Sequence, residues 1–271
     1  MDLTWKHYYK NGLLVEDLGF REAIKAFREQ MLSVFDVAAT HYGVGPIRCD
    51  EDLIGLYRSD YRFIWEQAHK MLQVLPVQNR FASDSNLLEL LQKIGVKFPA
   101  FTAPHEMRCD MPNDSEFGRC SIHQDGVYAR GSLNSVTAWI PLQDVVPENG
   151  CLRVVPKTHT YGLFPNRGGV ITDFPEEDFI HLPMKAGDVL LFSHFTVHRS
   201  GKNIDENRVR MSIQIRYTDL MDKNFIHRGY PFPHEHLFKG YIRKDDYPEY
   251  YCDYERYYID RNSASSSLEG S

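Results

Sequence analysis

The segment SIHQDG, residues 121–126, places two side chains that can bind a metal ion two positions apart. His123 offers an imidazole nitrogen and Asp125 offers a carboxylate. Residues two apart on an extended strand point to the same side, so both could face one ion while Gln124 turns away from it or lies at its edge. Because such tripeptides often arise by chance, the alternative is a hydrogen-bonded loop histidine beside a solvated aspartate. A third ligand decides between the two interpretations.

The best candidate for that third ligand is His198. It ends a strand-like segment that begins at the turn Gly187-Asp188, and it precedes the loop RSGKN. Two histidines and one carboxylate form the facial triad of non-haem Fe(II) oxygenases. Such a triad leaves positions on the metal for a 2-oxo acid and for dioxygen, whereas a closed four-ligand zinc site leaves none.

His194, four residues earlier in the same HFTVH segment, is the rival of His198. On a helix the two histidines would share one face, as they do in HExxH metal sites. However, the residues between them include no glutamate, and the β-rich surroundings favour a strand and a loop. We therefore expect His198 to bind the metal and His194 to be a hydrogen-bonded histidine that supports the next loop.

The elements that must position these residues differ between the two halves of the chain. In the first hundred residues, apolar side chains recur every three or four positions, which predicts helices with one buried face. The first long helix has Asp17 as its N-cap and stops at Gly43. A later helix is capped by Ser83 or Asp84 and stops at Gly95. The apolar face of the first helix consists of Phe20, Ile24, Phe27, Met31 and Phe35.

After Pro99 the pattern changes to short apolar or alternating runs, such as SVTAWIPL, GDVLLFS and RMSIQIRY. These runs predict strands of an antiparallel sheet pair. In RMSIQIRY, Met211, Ile213 and Ile215 alternate with polar residues, so one face should be buried and the other should line a polar cavity. The sequence therefore predicts a mainly β protein with flanking α-helices, in which N-terminal helices cover a jelly-roll barrel.

The composition is that of an ordinary globular protein. Of 271 residues, 42% are hydrophobic, and the formal net charge is -6. A chain of this kind can bury one core, so we predict a single domain over residues 1–261. Mixed charges along the whole length give no basic stripe for nucleic acid and no polybasic segment for a membrane. There is no apolar run of membrane-spanning length and no signal-peptide pattern, so the predicted location is cytoplasmic.

The predicted domain has three parts and is followed by a short tail. The parts are a helical region (about 1–98), a β-barrel core (about 99–220) and a C-terminal extension (about 221–261). The tail, residues 262–271, has low complexity and is predicted to be disordered or a remnant of expression. The five cysteines are odd in number and scattered, which favours reduced thiols over disulfides or a CxxC metal site.

Four segments together resemble the phytanoyl-CoA dioxygenase family of Fe(II)- and 2-oxoglutarate-dependent oxygenases. They are IHQDG, TAWIPLQDVVPENGCLRVVPKTH, KAGDVLLFSHFTVHRSGKN and RMSIQIRY, in the order and spacing of that family. The resemblance implies a cupin-like double-stranded β-helix that uses Fe(II), with 2-oxoglutarate and O2 as co-substrates. It also implies decarboxylation of 2-oxoglutarate to succinate and CO2, coupled to oxidation of a small-molecule substrate.

The resemblance also indicates which residues bind 2-oxoglutarate. In the family, a basic residue on the strand after the distal histidine holds the far carboxylate of this co-substrate. Arg210 fits that position best, and Arg208 is the alternative because the loop GKNIDENRV carries an extra residue. A guanidinium offers two parallel hydrogen bonds to a carboxylate. Ser200 and Trp139 match family positions that line the same pocket.

The mouth of the family's pocket corresponds here to segments that contribute Arg108, Tyr128, Arg130 and Arg228. We expect these residues to contact a polar or anionic small-molecule metabolite. In related halogenases a small residue replaces the carboxylate ligand. Because this chain has Asp125 at that position, halogenation is not expected. Hydroxylation is the default outcome, and desaturation, cyclisation, epimerisation or demethylation are the alternatives, chosen by how the substrate is placed. The sequence does not indicate an oligomeric state.

Two other classes of protein are compatible with the same residues. A zinc-dependent hydrolase could use the same three ligands, but it would need a general base beside the metal and would not need a carboxylate clamp. A non-catalytic jelly-roll binding protein would not need the complete set of metal ligands. The direction in which Arg210 points therefore separates the oxygenase from the hydrolase.

Overall fold

The computed structural model describes residues 3–102, 105–114, 121–128, 131–230 and 254–268. The helices are α1 (Leu3–Asn11), α2 (Arg21–His41), α3 (Asp50–Arg58), α4 (Arg62–Leu72), α5 (Asn79–Ala82), α6 (Ser85–Lys93), α7 (Lys223–His227) and α8 (Tyr254–Leu268). The strands are β1 (Leu13–Asp17), β2 (Pro99–Phe101), β3 (Glu106–Asp110), β4 (Val136–Pro141), β5 (Leu152–Val155), β6 (Ile180–Leu182), β7 (Asp188–Ser193), β8 (Val197–Ser200) and β9 (Arg210–Asp219).

Two antiparallel sheets form the β core. The larger has the strand order β1-β7-β4-β9-β2, with β3 also paired to β9, and the smaller has the order β6-β5-β8. Side chains from both sheets meet in one buried cluster, as expected for sheets that pack face to face. Its members are Leu13, Trp139, Val145, Cys151, Leu152, Val154, Met184, Leu190 and Phe192. The prediction of a mainly β, jelly-roll core with flanking helices is confirmed.

The N-terminal helices cover the outer face of the larger sheet. Met211, Ile213 and Ile215 of β9 are fully buried and belong to one cluster with the apolar faces of α2, α4 and α6. Full burial of a side chain of this size contributes about 1.5–3 kcal/mol. The predicted apolar face of the first long helix is buried in the same cluster, from Phe20 to Phe35. This packing fixes β9, so its alternate residues must face the barrel interior.

The start of the first long helix differs from the prediction. Asp17 does not cap it, because Asp17 ends β1, and α2 begins at Arg21. The carboxylate of Asp17 instead accepts a hydrogen bond from the backbone of Gly19 and pairs with Arg21. β1 itself lies within the region predicted to be helical, and it pairs with β7 at the edge of the larger sheet. A five-residue strand of this kind forms through its distant partner and carries little local signal.

At α6 the prediction is confirmed for one of the two candidate caps. The side chain of Asp84 accepts hydrogen bonds from the backbone N–H groups of Asn86 and Leu87. Two of the donors left unpaired at a helix start are satisfied in this way. Gly95 follows the helix with φ of 103°, a left-handed conformation that suits glycine at a helix stop.

The C-terminal helix extends into the predicted tail. Residues 262–268 continue α8, and residues 269–271 lie outside the described part, so the interpretation of the tail as disordered or as a remnant of expression stays a prediction. α8 packs on the outer face of the smaller sheet, where Tyr257 lies against Phe164 and Phe174. These aromatic contacts hold the start of the helix, and the alanine and serines that follow can continue it because neither residue type prevents helix formation.

Two further expectations concern cysteines and membranes. Cys49, Cys109 and Cys151 are free thiols, as predicted, and Cys120 and Cys252 lie outside the described residues. In the part of the chain that the structure describes, no helix combines the length and the apolar composition needed to cross a bilayer.

Candidate metal centre

His123, Asp125 and His198 come together inside the barrel. All three residues are buried, and their potential ligand atoms lie within 4.8 Å of one another. The two histidines face each other across a backbone bridge, in which each N–H donates to the other residue's carbonyl oxygen at 3.0 Å. Their ring centroids are 4.1 Å apart. This bridge joins the segment that carries His123 and Asp125, called the HxD segment below, to β8. It explains how residues far apart in the chain form one group.

Each imidazole is oriented by the backbone carbonyl two residues before it. Nδ1 of His123 lies 2.7 Å from the carbonyl oxygen of Ser121, and Nδ1 of His198 lies 2.9 Å from that of Thr196. A carbonyl oxygen can only accept, so Nδ1 carries the proton and Nε2 presents its lone pair. Burial and the nearby His123 lower the pKa of His198 to about 3, so this imidazole is neutral at neutral pH. Both features suit a metal-binding histidine.

The carboxylate of Asp125 is fully buried and is held by two side chains. Thr137 donates a hydrogen bond to Oδ2 at 2.5 Å, and the guanidinium of Arg216 contacts Oδ2 at 3.2 Å and Oδ1 at 3.3 Å. Burial acts to raise the pKa of Asp125, but Arg216 and the two imidazoles more than offset burial and hold the pKa well below its usual range. Asp125 is therefore an anionic ligand throughout the physiological pH range.

The residue between the two ligands is turned away from the centre, as predicted. The side-chain amide of Gln124 donates to the carbonyl oxygens of Gly162 at 2.9 Å and Phe195 at 2.6 Å. Its carbonyl oxygen accepts from the backbone N–H of Phe164 at 2.8 Å. Three hydrogen bonds from one buried side chain tie the HxD segment to the two neighbouring loops.

The rival histidine, His194, lies in the turn between β7 and β8 and outside the group of three. Its backbone N–H donates to the carbonyl of Ser135, and its carbonyl accepts from the N–H of Gly126. Burial lowers the pKa of its imidazole to about 4, so the ring is neutral. His194 thus supports the loop that follows Asp125 through its backbone. Nε2 of its ring has no hydrogen-bond partner among the described residues, so the role expected for the ring stays a prediction.

Arg210, Ser200 and Trp139, the three residues expected around 2-oxoglutarate, lie together. Arg210 is 1% exposed, and it donates hydrogen bonds to Ser200 Oγ at 3.1 Å and Ser212 Oγ at 2.9 Å. Its guanidinium carbon is 5.8 Å from the centre of the Trp139 ring, and the guanidinium also pairs with Asp110. Burial, aided by the charge of Arg108, lowers the pKa of Arg210 to about 9, so Arg210 is still cationic at neutral pH.

The alternative clamp, Arg208, lies before β9 and outside the barrel. Its side chain is 62% exposed, and it pairs with Asp205 at 3.6 Å. β9 begins only at Arg210, so the strand does not turn Arg208 toward the interior. Of the two arginines, the structure places only Arg210 beside Ser200 and Trp139.

Two buried donor atoms in this region have no hydrogen-bond partner among the described residues. They are Nε1 of Trp139 and Nε of Arg210. Buried donors of this kind are usually satisfied, so a ligand that binds here should bring acceptor oxygens. The two carboxylates and the keto group of 2-oxoglutarate meet that requirement. The histidine-aspartate-histidine set likewise suits Fe(II).

The residues expected to contact substrate are distributed unevenly. The ring of Tyr128 lies 5.8 Å from that of His123, centroid to centroid, next to the metal group. Arg108 is on β3 and pairs with Glu106 at 3.0 Å. Arg228 follows α7 at its C-terminal end. Arg130 lies outside the described residues.

Sequence reasoning missed Arg216, Glu106 and Thr137. In the register of the larger sheet, Thr137 on β4 is directly opposite Arg216 on β9, and Glu106 on β3 is opposite Gln214. Arg216 had a detectable signal, because it has the same parity as Arg210 on an alternating strand. Glu106 and Thr137 had none, since only the pairing of distant strands brings them to the site.

Comparison with known proteins gives a consistent result. The phytanoyl-CoA dioxygenase (PhyH) family model matches residues 66–211. The peroxisomal phytanoyl-CoA dioxygenases of Mus musculus and Homo sapiens are each 30% identical to this chain over 222 residues, which cover 73% of this chain and 62% of theirs. The Bos taurus protein is 33% identical over 137 residues, which cover 45% of this chain and 40% of its own length. The chain therefore spans less than two thirds of these relatives.

Solved structures agree with the fold. The non-heme monooxygenase ThoJ in its apo form has a TM-score of 0.58 at 19% identity, with 80% of this chain and 77% of that chain covered. EctD from S. alaskensis, also in the apo form, has a TM-score of 0.57 at 17% identity, with 82% and 78% covered. Both predictions, of the family and of a cupin-like jelly roll, are confirmed. Since the family model extends over more than half of the sequence and includes the metal group and the first two residues of β9, this chain belongs to the phytanoyl-CoA dioxygenase family.

Proposed function

We propose that this protein is an Fe(II)- and 2-oxoglutarate-dependent dioxygenase that oxidises a polar small-molecule metabolite, by hydroxylation as the default outcome. The observation that supports this most strongly is that one barrel holds both required binding sets. The triad of His123, Asp125 and His198 lies in the same interior as the buried cation of Arg210. Family membership supports the same activity.

The residues that would hold iron are the two Nε2 atoms of the histidines and the carboxylate of Asp125. When bound, iron supplies the activation of dioxygen, while 2-oxoglutarate leaves as succinate and CO2 and the substrate gains one oxygen atom. The pKa of His198 is lowered to about 3 and that of Asp125 is held well below its usual range, so neither of these two groups has to lose a proton before the metal binds.

The residues that would hold 2-oxoglutarate are Arg210, Ser200 and Trp139. A charged guanidinium in a buried position binds a carboxylate more strongly than one in water would, because little solvent screens the pair. The hydroxyl of Ser200 already accepts a hydrogen bond from Arg210, which leaves its own hydrogen for an acceptor on the ligand. Trp139 closes one side with an apolar ring and offers its unpaired N–H.

Apolar side chains limit the access of water to the centre. The ring of Phe192 lies 4.6 Å from that of His198, centroid to centroid, and Phe192 is 1% exposed. Excluding water in this way strengthens the electrostatic contacts inside the site and limits side reactions.

The alternatives are less well supported. A zinc-dependent hydrolase needs a free general base beside the metal, but the nearby carboxylate of Glu106 is paired with both Arg108 and Arg216. A buried arginine of the clamp type would also have no role in such an enzyme. Asp125 occupies the carboxylate position of the triad, which disfavours halogenation. Desaturation, cyclisation, epimerisation and demethylation use the same two binding sets, and only the placement of the substrate separates them from hydroxylation.

The test is anaerobic loading with Fe(II), followed by titration with 2-oxoglutarate. We expect one iron per chain, binding of 2-oxoglutarate that requires the metal, and succinate formation that increases when a suitable metabolite is added. His123→Ala and His198→Ala should each lose iron, whereas His194→Gln, the matched control, should retain it. Full iron stoichiometry in both alanine variants, or no binding of 2-oxoglutarate by the metal-loaded protein, would overturn the proposal.

A further inference from the structure

We propose that Arg216 is a positioning residue of the metal centre. It fixes the carboxylate of Asp125 so that this group binds the metal through one oxygen and leaves the remaining positions on the ion open for 2-oxoglutarate and dioxygen. This inference rests on the proposed function, and it assigns a task to a residue beyond the triad and the clamp. The observation behind it is an ion pair inside the barrel between the fully buried Asp125 and the largely buried Arg216. The guanidinium of Arg216 reaches both carboxylate oxygens of Asp125, at 3.2 and 3.3 Å.

The opposite side of Arg216 is also held. Nη1 lies 3.3 Å from Oε2 of Glu106, and Nη2 donates to Oε1 of Gln214 at 3.0 Å. Burial acts to lower the pKa of Arg216, but the charges of Asp125 and Glu106 more than offset it and raise the pKa above its usual value. The guanidinium is therefore a permanent cation fixed between two carboxylates.

The sheet register explains this arrangement. Arg216 follows Gln214 by two residues on β9, so both side chains face the interior. Glu106 is opposite Gln214 on one side, and Thr137 is opposite Arg216 on the other. Asp125 is thus approached by two side chains that come from paired strands of one rigid sheet. A ligand held from a sheet is oriented more exactly than one held from a loop.

The purpose of this contact follows from the chemistry of carboxylates. A carboxylate can bind a metal through one oxygen or through both, and the second mode takes one more position on the ion. An oxygenase of this type needs three open positions, two for the 2-oxo acid and one for dioxygen. Each oxygen of Asp125 has two lone pairs, so contacts with Arg216 and Thr137 still leave room for one metal bond. The same contacts restrain the rotation that two-oxygen binding requires.

Two other roles for Arg216 fit the structure less well. As an anchor for an anionic substrate it would need a free edge, but its contacts with Asp125, Glu106 and Gln214 occupy both sides of the guanidinium. As a purely structural ion pair it would be a poor choice, because burial of charges costs free energy that apolar residues of similar volume avoid. Positioning of a metal ligand is the role that uses both contacts with Asp125.

The test compares Arg216→Gln and Arg216→Lys with the wild type. Binding of Mn(II) is measured by calorimetry, and the visible charge-transfer band is recorded after anaerobic addition of Fe(II) and 2-oxoglutarate. Removal of a positive charge by itself should strengthen the binding of a divalent cation. Loss of orientation should weaken it, since substitutions of residues that hold metal ligands typically cost about 10- to 100-fold in affinity. The loss of charge and the loss of orientation therefore predict opposite changes in Mn(II) affinity.

We expect Arg216→Gln to bind Mn(II) about 10-fold more weakly than wild type and to shift the charge-transfer band. Arg216→Lys should recover only part of the affinity, because an ammonium cannot contact both oxygens as a guanidinium does. The matched control is Arg153→Gln, in which the side chain is 16% exposed, against 13% for Arg216, and pairs with Glu176. It should leave both the affinity and the band unchanged. Wild-type or stronger Mn(II) binding by Arg216→Gln, with an unshifted band, would overturn the proposal.

A second variant keeps the inference testable if Arg216→Gln does not fold. Glu106→Gln removes the carboxylate behind Arg216 and leaves Asp125 untouched. We expect a loss in Mn(II) affinity of about 3-fold, and a smaller loss when the same change is made in Arg216→Lys, because coupled residues are not additive. Equal losses in the two backgrounds would show that Glu106 does not act through Arg216. If the wild type itself binds neither Mn(II) nor 2-oxoglutarate, the proposed function fails. If the wild type binds both and the variants bind Mn(II) equally well, only the role of Arg216 fails.

Discussion

Two arginines of β9, the buried Arg210 and the largely buried Arg216, each pair with a buried aspartate. At one end Arg216 contacts Asp125, and in our proposal the aspartate binds the ligand while the arginine positions it. At the other end Arg210 contacts Asp110, and in the proposed function the arginine binds the carboxylate of 2-oxoglutarate while the aspartate is its partner. In this proposal one strand contributes to a metal site at one end and to a carboxylate site at the other.

The electrostatic balance at the two ends explains this division. Burial acts to lower the pKa of both arginines, but Arg216 lies between two carboxylates and its pKa is raised. The pKa of Arg210 is lowered to about 9, by burial and by the charge of Arg108. Arg210 has one paired carboxylate, that of Asp110, whereas Arg216 has two, so a carboxylate that binds beside Arg210 would be its second. The environment of Arg216 is already supplied with negative charge, which favours a metal cation beside it.

The largest effect should come from removing the ligand at the metal end. Asp125→Ala deletes the only anionic ligand of the proposed triad and leaves Arg216 without its main partner. We expect Fe(II) affinity to fall by more than about 100-fold, beyond the range seen when residues that support ligands are changed. Iron content after anaerobic loading and gel filtration measures the loss. Asp110→Asn, the corresponding change at the clamp end, should retain iron, and equal iron content in the two variants would remove the distinction between the ends.

The next effect in size concerns the arginine of the clamp end. Loss of one partner from a buried charged pair typically costs about 2–5 kcal/mol, so Arg210→Ala should raise the apparent 2-oxoglutarate requirement by about 30-fold or more. Arg210→Lys should recover only part, because a point charge does not reproduce the two-point contact. Succinate formation at varied 2-oxoglutarate concentration measures the change.

The control for this prediction is Arg208→Ala, which removes an exposed arginine two residues away. We expect no change in the 2-oxoglutarate requirement of that variant. Calorimetry on the metal-loaded proteins should show that Arg208→Ala binds 2-oxoglutarate like wild type and that Arg210→Ala binds it more weakly. A large loss in Arg208→Ala and none in Arg210→Ala would place the clamp outside the barrel, in conflict with the buried position of Arg210.

The sequence was sufficient to predict the residues of the site that follow a local pattern. Alternation along RMSIQIRY predicted an apolar outer face and a polar inner face for β9, and both are present. Spacing and family resemblance placed His123, Asp125 and His198 in one set, and they lie within bonding reach of one ion. These predictions depend on residues close in the chain or on motifs of fixed order.

The parts that were missed depend on contacts between distant segments. Asp110 meets Arg210, and Glu106 meets Arg216, only because β3 pairs with β9 in one particular register. β1 forms only because β7 offers an edge. Register is set by packing of the whole sheet, so a single sequence without a structure does not specify which carboxylate faces which arginine.

A smaller effect, in the opposite direction, is expected from Asp110→Asn. In the ligand-free protein Asp110 competes with any carboxylate that approaches Arg210. Removing this charge should strengthen 2-oxoglutarate binding by about 5-fold, which corresponds to roughly 1 kcal/mol. The thermal midpoint of the free protein should fall, because Arg210 loses its buried partner. Calorimetry with the metal-loaded protein checks the first result. Weaker binding would mean that Asp110 supports the clamp and does not compete with the co-substrate.

The smallest effect should come from the second residue that holds the carboxylate at the metal end. Thr137→Val has nearly the same shape as wild type but loses the hydroxyl that donates to Asp125 at 2.5 Å. A hydrogen bond to a charged group typically contributes about 1.5–3 kcal/mol, but Arg216 still contacts both oxygens, so only part of that value should appear in metal binding. We expect Mn(II) affinity to fall about 3-fold, or roughly 0.7 kcal/mol. Thr137→Ser, which keeps the hydroxyl, should bind Mn(II) like wild type. If Thr137→Val instead costs as much as Arg216→Gln, the hydroxyl contributes equally to holding Asp125, and the metal end does not depend mainly on its arginine.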